Sequence, residues 1–156
     1  MSGPDLPDPR LLRRAVGLFR RDERRRVHPP VLHVGELAGR AAAFEPGRRE
    51  LLDADLRREV VTALLGRAEG PRPPVIWLTR MGELTVHDDD LGWLSACTAV
   101  CGEAGVEAPF VVITRRGWVA PVSGAQRSWV RLRLAHGVGQ SRAALPSGSA
   151  SMSTGS

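Results

Sequence analysis

Val75-Ile76-Trp77-Leu78-Thr79 and Phe110-Val111-Val112-Ile113-Thr114 are near-continuous apolar runs of strand length, and the stretch between them decides the fold. Met81-Gly82 stops the first run. Asp88-Asp89-Asp90 then opens a segment through about Ala104, with Leu91, Leu94, Cys97, Ala99 and Cys101 among its apolar positions and Gly105 at its end. Acidic residues at the start and glycine just past the end are helix signals. Two strands that are apolar on both faces, joined by one helix, predict a parallel, right-handed βαβ unit over 75–115.

Further along, Pro121–Gln126 reads as a hairpin connection and Ser128–Leu134 as a half-exposed strand. Val130, Leu132 and Leu134 alternate there with Trp129, Arg131 and Arg133. Gly, Ser and Ala dominate from His136, so 136–156 is expected to be a disordered tail. Upstream, Asp8 and Pro9 suit the start of a helix, and Leu11, Leu12, Ala15, Val16, Leu18 and Phe19 form its apolar stripe. His28-Pro29-Pro30 is the expected stop, because proline lacks the backbone donor a helix needs. Val31–Val34 predicts a short strand, Glu36–Phe44 a short helix, and Arg48–Ala68 a longer helix carrying Leu51, Leu52, Leu56, Val60, Val61, Leu64 and Leu65. The Pro-rich segment 70–74 is the expected hinge.

The fold class expected is therefore α/β: a small mixed sheet of three or four strands on the 75–115 unit, plus an antiparallel C-terminal strand, flanked by helices. A mainly helical region over 1–70 packs on an α/β core over 75–135. The 156-residue length suits one domain. No stretch approaches the ~18 apolar residues of a membrane span, and no apolar leader follows the N-terminus; the expected location is cytoplasmic.

All 22 basic residues are Arg; Lys, Asn and Tyr are absent, and Ile occurs only at Ile76 and Ile113. A GC-rich genome is the simplest source of that bias, so the net charge of +5 is a weak sign of a polyanionic partner. Segregation of sign is a better one. Residues 10–26 hold eight Arg against Asp22 and Glu23, 75–110 hold six acids against Arg80, and 111–142 hold six Arg and no acid.

Three constellations carry chemistry. The first is an internal echo: Ile76–Gly82 and Val111–Gly117 both read as three apolar residues followed by Thr-Arg-x-Gly. In a parallel unit, Thr79, Arg80, Thr114 and Arg115 lie past neighbouring strand ends, where open α/β sheets place ligands. Two guanidinium forks there suit a phosphate or carboxylate. The plainer explanation is that such strands end in a polar residue and a turn glycine.

The second is Asp88-Asp89-Asp90, an oxygen-rich run that suits Mg²⁺ or Mn²⁺ in a phosphoesterase or nuclease. Helix capping is the plainer explanation, since Asp at an N-cap and in the first turn meets unpaired N–H groups and the helix dipole. The third is Arg115, Arg116, Trp118, Arg127, Trp129, Arg131 and Arg133, a hairpin face suited to single-stranded nucleic acid through phosphate neutralisation and indole stacking. Its competitor is a pair of tryptophans covering the core edge beneath arginine stems. The Arg-rich first helix extends that surface or forms only a solvated face.

Other chemistries find little footing. Without Lys there is no Walker lysine and no Schiff base. Cys97 and Cys101 read as small reduced core residues. His28, His33, His87 and His136 lack metal-ligand spacing, and Ser123 and Ser128 lack a nucleophile elbow. The leading expectation is a non-catalytic module binding nucleic acid or another polyanion. The alternatives are a metal-dependent phosphoesterase and a non-catalytic subunit that docks an acidic protein.

Overall fold

The computed structural model describes residues 4–47, 52–68, 70 and 72–130. Their α/β architecture holds three helices and one mixed sheet of six strands, a larger sheet than the sequence predicts. In chain order the elements are α1 (Pro9–Asp22), β1 (Val31–Gly35), β2 (Ala41–Phe44), α2 (Ala54–Arg67), β3 (Val75–Thr79), α3 (Asp88–Ala104), β4 (Phe110–Thr114), β5 (Gly117–Val119) and β6 (Gln126–Ser128). The sheet order is β2-β1-β3-β4-β5-β6. β3 and β4 are the parallel pair, with Trp77 opposite Val111, as the two apolar runs predict. Every other neighbouring pair is antiparallel.

Alternation along the strands gives each face its own core. Leu32, Val34, Ile76, Leu78, Phe110 and Val112 meet Val61 and Leu64 of α2 and Trp93, Ala96 and Cys97 of α3. On the other face Trp77, Val111, Ile113 and Trp118 meet Leu12, Ala15 and Val16 of α1. The molecule is thus a three-layer sandwich, and the segregation of charge along the chain becomes a difference between layers. α1 carries five arginines and one acid, whereas α3 carries four acids and no basic residue.

Local expectations need correction as well. Glu36–Phe44 is a turn followed by β2, not a helix. The amide of Gly39 donates to the Glu36 carbonyl at 2.9 Å and that of Glu36 to the Arg40 carbonyl at 2.8 Å, reversing the chain. Ala38 adopts the left-handed conformation at φ 62° within that turn. Ala41–Ala43 favour helix locally, but the edge of β1 offers a full ladder from Leu32–Phe44 to Gly35–Ala41, and the tertiary partner overrides propensity.

α1 begins as expected, with the Asp8 carboxylate accepting from the Arg10 amide at 2.8 Å. It ends at Asp22, ahead of the prolines. The Glu23 carboxylate folds back onto the Arg25 amide and guanidinium, and Arg115 donates to the Glu23 and Arg25 carbonyls. The turn is made by a residue about ninety positions away.

α2 starts at its Asp53 cap; positions 48–51 of the expected helix lie outside the described residues. Positions 131–134 of the expected last strand and the tail at 136–156 also lie outside them. β6 is Gln126–Ser128 and ends where the expected strand begins, so Trp129 and Val130 lie past it. The expected facing is reversed: Trp129 packs on the core while Val130 is 99% exposed, because the indole finds the α1-side cluster and the valine does not. No helix among the described residues is long and apolar enough to cross a membrane.

Candidate functional site

The two Thr-Arg pairs end adjacent parallel strands, but their arginines do not converge. Arg80 turns toward α3. Its Nε and Nη2 donate to Asp90 Oδ1 and Oδ2 at 2.8 and 2.7 Å. Nη1 donates to the Met81 and Glu83 carbonyls, both at 2.8 Å, and Nη2 also to the Thr85 carbonyl at 3.0 Å. All five N–H groups of the guanidinium are thus engaged within the chain. Arg115 turns instead toward the end of α1, as described above. The Thr79 hydroxyl meets His33 Nε2 at 3.1 Å, and the Thr114 hydroxyl accepts the Arg116 amide at 3.0 Å. Both threonines are buried.

The acidic run divides in the same way. Asp90 is fully buried, and besides Arg80 it accepts the His87 amide at 2.8 Å, closing the first turn of α3. Asp88 and Asp89 are exposed. Among the described residues, no group of three or more His, Cys, Asp or Glu is placed to hold a metal ion.

The hairpin residues, by contrast, meet α1. β5 and β6 pair with Trp118 opposite Arg127, and the Trp129 amide continues the ladder to the Arg116 carbonyl at 2.9 Å. Trp118 is buried in the α1-side core, while Trp129 is partly buried against it. Arg13 and Arg127 stand over the Trp129 ring, their Cζ atoms 6.0 and 5.9 Å from its centroid. Arg20 ties helix to hairpin, donating from Nη2 to the Trp129 carbonyl at 2.7 Å and from Nε to the Arg115 carbonyl. Partial burial lowers the pKa of Arg20. Arg10, Arg13, Arg14, Arg116 and Arg127 remain exposed. Arg131 and Arg133 lie outside the described residues.

Beside the end of β3 opens a cleft of about 1230 Å³ that the sequence does not announce. The starts of α2 and α3 form one wall through Asp53, Arg57, His87 and Trp93. The 25–30 linker with Glu45–Gly47 forms the other, and Arg80 closes the back. A parallel strand ending between two helix starts is the usual place for a ligand in this fold class. Arg57 and Trp93 are not singled out by the sequence, because an arginine or tryptophan on a helix in such a chain carries no distinguishing local signal.

A second groove, of about 540 Å³, lies between the α3 surface and the loop after β5, with Leu94, Cys97 and Val122 along it. Both cysteines are free and buried, and burial pushes their thiols up.

Compared with known proteins, the chain matches no family model, no curated protein and no solved structure.

Proposed function

We propose that the chain is a non-catalytic module that binds nucleic acid or a related polyanion on the face formed by α1 and the β5–β6 hairpin. The observation that carries this reading is Trp129, half-buried beneath Arg13 from the helix and Arg127 from the hairpin. Two segments far apart in sequence thereby contribute to one basic surface with an aromatic at its centre. Exposed Arg10, Arg14 and Arg116 extend it. Guanidinium groups neutralise phosphates while an indole stacks on a base, so the combination suits single strands in particular. Trp118 supports the platform from within the core rather than facing a ligand.

The phosphoesterase alternative gains no comparable support, since Asp90 and Arg80 satisfy one another and the loop beside them. Fluorescence anisotropy with labelled single-stranded DNA, duplex DNA and RNA, from low to physiological salt, tests the reading. Binding should persist at physiological salt, and Arg13→Ala with Arg127→Ala should weaken it. A double variant that binds like wild type removes this face from consideration. Loss of all binding by wild type at physiological salt leaves an acidic protein as the partner to seek.

A further inference from the structure

Arg57 presents a guanidinium that the fold surrounds and leaves largely unpaired. Its side chain keeps 19% of its exposure, and its only ion contact among the described residues is Nη2 to Asp89 Oδ1 at 3.5 Å, to a carboxylate that is 82% exposed. Its Nε is sealed from solvent with no hydrogen-bond partner among the described residues. Gly92 makes room for the group: a Cβ there would come within 2.7 Å of Nη1 and 2.8 Å of Cζ. Trp93 lies under it, ring centroid 5.7 Å from Cζ. Arg80, in the same cleft, shows what the fold does with a guanidinium it needs only for itself: all five donors are engaged.

The other charges around the cleft are already occupied. The Asp53 carboxylate accepts the Leu56 amide at 2.8 Å, Glu45 stands 3.6 Å from Arg25, and Asp90 is held by Arg80. Asp89 alone turns toward Arg57, and loosely. A guanidinium is a planar donor group suited to carboxylate and phosphate oxygens, and Nη2 is the donor that already turns toward a carboxylate. The positive ends of the α2 and α3 dipoles add a favourable field at the same place.

We propose that this cleft binds a small molecule through an oxyanion, a carboxylate or a phosphate, received by Arg57 in the position Asp89 loosely approaches. This site is separate from the α1–hairpin face and does not depend on it.

Heteronuclear NMR tests the assignment on the full chain. Inorganic phosphate and acetate are titrated separately while the Arg57 Nε–H signal and the Gly92 and Trp93 amides are followed. Saturable shifts at these groups are expected, and the tighter probe identifies the class of oxyanion. Arg57→Lys keeps the charge but loses the fork and should weaken binding about tenfold. Arg57→Gln, checked for native amide dispersion, should abolish it, whereas Arg13→Ala with Arg127→Ala should leave it unchanged. Shifts that never saturate, that saturate only on α1 and the hairpin, or that persist in Arg57→Gln overturn the proposal. Should Arg57→Gln fail to fold, undiminished binding in Arg57→Lys overturns it instead.

Discussion

Arg80 and Asp90 close a two-pronged ion pair between the end of β3 and the first turn of α3, with side chains 7% and 0% exposed. The remaining Arg80 donors hold three carbonyls of the intervening loop, so one guanidinium fixes the loop, the helix start and the rear of the cleft together. Removing one member of a buried pair leaves the other charged and unpartnered, at a cost of about 3–5 kcal/mol. Asp90→Ala should therefore lower the urea midpoint by that equivalent, while Asp88→Asn, on an exposed neighbour, should stay within about 0.5 kcal/mol. Equal, mild effects from both would show that the pair does not anchor the junction.

Two glycines should respond to alanine with opposite signs. At Gly117, with φ +157°, a Cβ would sit 1.9 Å from the Arg127 carbonyl oxygen. Gly117→Ala must push β6 away, costing at least about 1–3 kcal/mol and exposing the Trp129 amide to hydrogen exchange. Near the end of α3, Gly102 has nothing within 4 Å of its Cβ direction. Gly102→Ala should stabilise by about 0.5–1 kcal/mol, since alanine loses less backbone freedom in a helix. Paired denaturation curves read both signs.

The parts of this fold legible in the sequence are those whose signal is local. β3, α3 and β4 announce themselves because strands buried on both faces are continuously apolar and α3 carries both an acidic start and a capping glycine. β2 does not, because three alanines take their conformation from the neighbouring strand edge. The early end of α1 depends on Arg115, far along the chain. The Thr-Arg echo shows the limit most sharply. The same residue pattern ends two adjacent strands, yet Arg80 meets Asp90 while Arg115 meets the α1 linker. Which layer an arginine joins is decided by its partner, and that partner is invisible in the strand's own sequence. The acidic run is ambiguous for the same reason, since its third carboxylate is consumed by a buried cation ten positions back.

His33 should make stability depend on pH. Its ring stacks on Trp77 at 4.9 Å and bonds to the Thr79 hydroxyl, and burial pushes its pKa down from 6.5 to about 4. Between those values the unfolded chain takes up a proton that the folded chain refuses, so stability falls as pH drops. The full loss approaches about 3 kcal/mol. Glu23, held down to about 2 by Arg25, adds a loss of the same sign that sets in only below about pH 5.5, so the window above that belongs to His33. Unfolding free energies measured from pH 6.5 to 4.5 should slope for the wild type and flatten in His33→Gln. An unchanged slope in that variant assigns the effect elsewhere.

Stacking and charge on the α1–hairpin face separate cleanly by experiment. Trp129→Ala should weaken single-strand binding by about 1–3 kcal/mol while leaving the dependence on salt unaltered, because an indole displaces no counterion. Trp129→Phe keeps a ring and should recover part of that loss. Arg13→Ala with Arg127→Ala should instead reduce the slope of log affinity against log salt by about two, one for each phosphate contact removed. If the slope holds, these guanidinium groups do not meet phosphates. If Trp129→Ala binds single strands as wild type does, the tryptophan serves only to close the core edge, and any remaining attraction is electrostatic.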